Sequence, residues 1–150
     1  MIFQMQEGYL TLATGEWQDR TVNMLSANHL PVKGTNLVVT REALPDGLCL
    51  ADYVANQKSV LAKELPKYKQ LADNTDKINE QPAHFIGLTW DNQGVAMHQM
   101  VLVIEFNRNI ITITATVPGE PDEACRTELL AAMRSFTPGP APAIPESAAK

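Results

Sequence analysis

The spacing of apolar residues along this chain switches between a period of about 2 and a period of about 3.6, and the switches mark its elements. Residues 9–12 alternate briefly before Gly15 and predict a first short strand. Residues 17–25 predict a second, with Val22 and Met24 on one side and Thr21, Asn23 and Leu25 on the other. After a loop with Pro31 and Gly34, residues 36–41 predict a third, setting Leu37 and Val39 against Val38 and Thr40. Pro45-Asp46-Gly47 is a turn signal that closes this hairpin-like region. From 48 to 65 the period becomes helical. Leu50, Tyr53, Val54, Val60, Leu61 and Leu65 form an apolar stripe, and Pro66 ends it. Gln57 interrupts the stripe, three residues from Val54 and four from Leu61.

Residues 67–81 are polar and read as edge strand or loop. Residues 84–90 predict a strand carrying Phe85, Ile86, Leu88 and Trp90, and Asp91-Asn92-Gln93-Gly94 predicts a hairpin turn. Strands over 97–106 and 110–117 follow, joined around Asn107 to Asn109. Pro118 and Gly119 break the sheet. Pro121 can then start a last helix, with Asp122 and Glu123 suited to its positive end and Leu129, Leu130, Met133 and Phe136 as its packing face. Antiparallel-looking strands interrupted by one helix and closed by another give an α+β order. One domain over 1–137 is expected, with 138–150 a disordered Pro/Ala-rich tail.

The two faces of the predicted sheet carry more apolar surface than two helices account for. In the 97–106 strand, Met100, Leu102, Ile104 and Phe106 form a fully apolar face that is expected to pack on the helices. The opposite face, with Met97, Gln99, Val101, Val103 and Glu105, is mixed. The next strand sets Ile111, Ile113, Ala115 and Val117 against Ile110 and three threonines. A partner, a homodimer, or strand curvature with long loops could each cover the surplus. Gln57 is costly among apolar neighbours unless its hydrogen bonds are met, which either a structural role at the stripe's edge or a binding role would do. Gln99 is open to the same two readings. Two amides beside an apolar groove would suit apolar helices that carry stray polar groups.

Composition narrows the function classes. The chain has 150 residues, 45% of them hydrophobic, and a net charge of −5 with no run of Lys or Arg, which argues against nucleic acid and anionic membranes as partners. The first residues lack a signal-peptide pattern, and no stretch approaches the ~18 apolar residues of a membrane span. A cytosolic, soluble protein with no membrane anchor is expected. Cys49 and Cys125 lack CxxC spacing and read as reduced structural thiols. There is no GxSxG, HExxH, P-loop or dinucleotide glycine pattern, and His29, His84 and His98 stand apart from one another and from both cysteines. No catalytic residue, metal or cofactor is expected. An enzyme would need a cysteine and a histidine to converge in space.

The segments 7–12, Trp17-Gln18-Asp19-Arg20-Thr21-Val22-Asn23-Met24, Leu37-Val38-Val39-Thr40-Arg41 and Ala51-Asp52-Tyr53-Val54-Ala55-Asn56-Gln57, with Leu65-Pro66, Trp90 and His98-Gln99, share a family pattern. The chain resembles the DcrB-like domain family, in particular its Eag-type chaperones of type VI secretion effectors, over residues 3 to 137. The resemblance implies a Mog1/PsbP-like fold, a curved antiparallel sheet backed by helices, and a homodimer. It implies a chaperone or adaptor that shields the hydrophobic N-terminal transmembrane region of an effector, often an Rhs or PAAR-containing toxin, and helps load it onto the secretion spike. Carried over by position, the apolar contacts fall on Val22, Met24 and Val38, and the gripping glutamines on Gln57 and Gln99. Asn56 departs from the basic residue expected there, and 67–81 is less family-like. The alternative is a DcrB- or Mog1-like module for a folded protein partner, which the neighbouring genes would discriminate.

Overall fold

The computed structural model describes residues 1–139, so the expected tail beyond 139 lies outside the described residues. In chain order the elements are β1 (Ile2–Gln4), β2 (Tyr9–Thr11), β3 (Asn23–Ser26), β4 (Asn36–Ala43), α1 (Leu50–Glu64), β5 (Lys69–Ile78), β6 (Gln81–Asn92), β7 (Val95–Phe106), β8 (Asn109–Pro118) and α2 (Glu123–Arg134). Six strands form an antiparallel sheet in the order β3-β4-β8-β7-β6-β5, while β1 and β2 pair only with each other.

Strands β5 to β8 run as a meander through three two-residue turns, Asn79-Glu80, Gln93-Gly94 and Asn107-Arg108. All six residues have positive φ, the twist that two-residue hairpins require. Gly94 takes that conformation without strain, and its N–H donates to the Asp91 side chain at 2.8 Å. Local capping sets where the helices start. The Asp52 carboxylate accepts from the backbone N–H of Cys49 at 3.2 Å and from its thiol at 3.1 Å, which holds Asp52 below the ordinary carboxylate range. The Asp122 carboxylate accepts from the Cys125 N–H at 2.7 Å and opens α2.

Each helix takes one face of the sheet. Under α2 lie Leu102, Ile104, Ile113, Ala115 and Val117, packed on Cys125, Leu129 and Met133. Under α1 lie Ile86, Leu88, Val101, Val103 and Ile110, packed on Tyr53 and Val54. Leu102 and Ile104 are 1% and 0% exposed, and burial of each stabilises the fold by about 1.5–3 kcal/mol. Phe106 ends this row half-buried, edge-on to Phe136 at 6.4 Å between ring centres. The 97–106 face expected on helices therefore packs on one of them, α2.

Three local expectations change. Residues 17–22 are not strand: Asp19 accepts from the N–H and hydroxyl of Thr21, Arg41 donates to the Thr21 carbonyl, and these bonds replace ladder pairing. The run at 9–12 joins a separate N-terminal hairpin, whose short partner β1 was too brief to read by alternation. The 67–81 stretch keeps its edge-strand reading, as β5 over Lys69–Ile78. Val60 lies outside the packing stripe and is exposed.

Candidate functional site

The α1 face is covered unevenly, and one row of residues across the sheet shows it. Met24 pairs with Val38, Val38 with Thr114, Thr114 with Val101, and Val101 with Ile86. Directly paired residues share a face, so these side chains stand in line. Ile86 is 0% exposed and Val101 8%; Val38 and Thr114 are half-buried; Met24 is 66% exposed. Coverage by α1 fades from β7 outward and leaves the β8-β4-β3 end of the face open.

A hollow of about 300 Å³ lies where the covered and open parts meet. Gln57, Leu61 and Leu65 line it from α1, and Gln99, Val101 and Thr114 from the sheet. The two glutamines that interrupt apolar patterns thus converge in one place from different elements. The Gln99 amide donates to the Thr116 hydroxyl at 3.0 Å, whereas the half-buried Gln57 amide makes no hydrogen bond among the described residues. A carboxamide offers two N–H donors and an accepting oxygen, so both keep capacity for an added group. Thr112 in the wall of the hollow adjoins Tyr53, whose hydroxyl donates to Glu42. Burial is the main cause that pushes its pKa upward, so it stays neutral at physiological pH. No charged side chain among the described residues lines the hollow.

Of the sequence-derived residues, Gln57 and Gln99 meet in the hollow, and Val38 and Met24 extend the same face to the sheet edge. Val22 stands just before β3, exposed and outside the ladder. Sequence reasoning passed over Leu61 and the threonines of β8 as site residues. Their signal was present: Thr112, Thr114 and Thr116 alternate with Ile113, Ala115 and Val117. Cys49 lies at the start of α1 and Cys125 on the buried face of α2, its thiol pushed up by burial. His29 contacts Glu128 and His84 contacts Asp73. Among the described residues no three His, Cys, Asp or Glu side chains group as a metal site would require. No described helix is long and apolar enough to cross a membrane.

The DcrB family model matches residues 7–135, from just before β2 through both helices. The chain belongs to the DcrB family. A protein of Pseudomonas aeruginosa named Effector EagT6 is 24% identical over 145 residues, covering 94% of this chain and 98% of that protein. Among solved structures, a Pseudomonas aeruginosa protein of unknown function, PA94, superposes with a TM-score of 0.75 at 22% identity, covering 94% of this chain and 98% of that one. Cyanobacterial PsbP from Synechocystis superposes with a TM-score of 0.56 at 13% identity, covering 83% and 96%. The α+β sheet architecture is therefore PsbP-like, as the family resemblance implied.

Proposed function

We propose that this DcrB-family chain is a cytoplasmic chaperone and adaptor for a type VI secretion effector of the Rhs or PAAR kind. It holds the effector's hydrophobic N-terminal transmembrane segments on its α1 face and aids loading onto the secretion spike. The observation that carries the reading is the convergence of Gln57 and Gln99 in a largely apolar, uncharged hollow, lined also by Thr112 and Thr114 and continuous with Val38 and Met24. A near-full-length relative named for an effector supports it.

The physical basis is exchange of solvent for protein. Transmembrane helices in water expose apolar area that is worth about 25 cal/mol per Å² when covered. Such helices also carry small polar side chains, and a purely apolar groove would leave those unpaired at a cost of about 1–3 kcal/mol each. The amides and the threonine hydroxyls answer that need without a charge. A homodimer is part of the reading. The N-terminal hairpin exposes Ile2, Tyr9 and Leu10, and Trp17 lies open beside it, so a second copy has apolar surface to cover. Light scattering on the purified chain should give twice the monomer mass.

Co-expression with a tagged effector N-terminus tests the site. Complex recovery should fall at least about tenfold in the Gln57→Leu/Gln99→Leu double variant, the equivalent of 1.4 kcal/mol. Undiminished recovery would remove the glutamines from the mechanism.

A further inference from the structure

The opposite, α2 face holds a second hollow, of about 180 Å³, which the proposed function does not use. Phe85 and Met100 line it from the sheet, and Leu71 and Leu130 from β5 and α2. Two departures from regular strand geometry open it. The β5–β6 register shifts between Gln70 and Ala72, which leaves Leu71 out of the ladder and 52% exposed. Opposite that bulge stands Gly87, where an added Cβ would lie 3.3 Å from the Ala72 Cβ and 3.7 Å from the Phe85 ring. A bulge re-aims a side chain, and a strand glycine keeps the floor beneath it low.

Gln99 borders this hollow as well, but its amide donates to Thr116 on the α1 side; two other polar residues line the hollow and are not used elsewhere. Arg126 lines it, is exposed, and its guanidinium makes no ion pair or hydrogen bond among the described residues. His98 lines it too, and its Nδ1 is sealed from solvent with no hydrogen-bond partner among the described residues. The other ring nitrogen, Nε2, is not sealed and makes no hydrogen bond among the described residues, so it is the one free to donate. No acidic side chain lines the hollow. A guanidinium beside an apolar wall, with a second nitrogen able to donate and no carboxylate in the lining, is complementary to one anionic group on an apolar body. The size fits, since a cavity of about 150 Å³ accepts benzene.

We infer that the α2 face binds a small apolar monocarboxylate, its aromatic or aliphatic body on Phe85 and Met100 and its carboxylate on Arg126, with His98 as a second donor. The site is separate from the effector face and does not depend on that assignment.

Titration of the ¹⁵N-labelled chain with 3-phenylpropionate tests it, with 3-phenylpropan-1-ol as the uncharged probe of the same shape. The carboxylate should shift the amides of Gly87, His98 and Leu130 saturably, with a Kd on the order of 1 mM or tighter. The alcohol should bind about tenfold more weakly, and Arg126→Gln, on an exposed helix position, should weaken the carboxylate by a similar factor. Absence of saturable shifts, equal affinity for the alcohol, or an unchanged Kd in Arg126→Gln would each overturn the proposal. Arg126→Gln should also leave effector recovery unchanged, and a loss there would overturn the separateness of the two sites.

Discussion

The two faces of β8 come from the same ten residues, yet they meet different surroundings. Toward α2 the strand turns Ile111, Ile113, Ala115 and Val117, and the last three are buried. Toward α1 it turns Ile110 and then Thr112, Thr114 and Thr116, which are half-exposed. Both faces have one helix, so helix number does not explain the contrast. The loop between β3 and β4 does. Its Leu30 and Val32 pack, with Leu37 and Val39, against the α2-side core, the buried Thr35 hydroxyl donates to the Val32 carbonyl at 2.8 Å, and His29 contacts Glu128 of α2. Helix and loop together close the α2 face across β4, except for the hollow at the far, β5 side. Nothing comparable extends α1 over β4 and β3 among the described residues. A sheet with two apolar faces and one covering loop keeps one face for its own stability and leaves the other available.

The largest effect should come from the closed face. Leu102→Ala removes a side chain packed under α2 at 1% exposure, and the cavity it leaves should cost about 2–5 kcal/mol, read as a lowered midpoint in urea. The open face should answer in the opposite manner. Met24→Asp with Val38→Asp alters positions that α1 does not cover, so the urea midpoint should move by less than that of Leu102→Ala. Effector recovery should nevertheless fall at least about tenfold, because each carboxylate would have to be desolvated under an apolar helix. A large stability loss with normal recovery would reverse the roles assigned to the two faces.

Much of this contrast was legible in the chain, and the exceptions are physical. The alternation of Ile and Thr in β8 and the interruption at Gln57 both follow from local spacing, so the mixed face and its odd amide were visible. The meeting of Gln57 with Gln99 was not, because it depends on how α1 docks across β6 and β7. Residues 17–22 alternate like a strand, but Asp19 satisfies the Thr21 N–H before a neighbouring strand can. Val60 lies next to Leu61 on the helix and is apolar enough to share its face, yet it is exposed. The α2-face hollow had one signal, a glycine at 87 inside an apolar strand, but the bulge at Leu71 belongs to pairing that no single segment encodes.

The smallest effect concerns how each helix is tied to the same edge strand. Lys58 of α1 donates to Asp73 of β5, and Arg134 of α2 donates to Asp76 of β5. The two aspartates point to opposite faces, since Asp73 pairs with Ile86 under α1 and Asp76 with Ala83 under α2. The Lys58 bond, then that of His84, holds the Asp73 carboxyl below its ordinary range, and the Arg134 bond does the same for Asp76. A carboxyl depressed in the folded state adds stability above its unfolded pKa, near 4, and loses it as pH falls through the folded value. Thermal midpoints should therefore drop from about pH 5 downward, and Asp73→Asn or Asp76→Asn should each flatten part of that drop. At pH 7 either substitution should cost no more than about 1 kcal/mol, because both pairs stay partly open to solvent. Hydrogen exchange separates the ties: Asp73→Asn should speed exchange in α1 and spare α2, and Asp76→Asn the reverse. Equal acceleration of both helices by either variant would mean that β5 fastens the two faces as one unit.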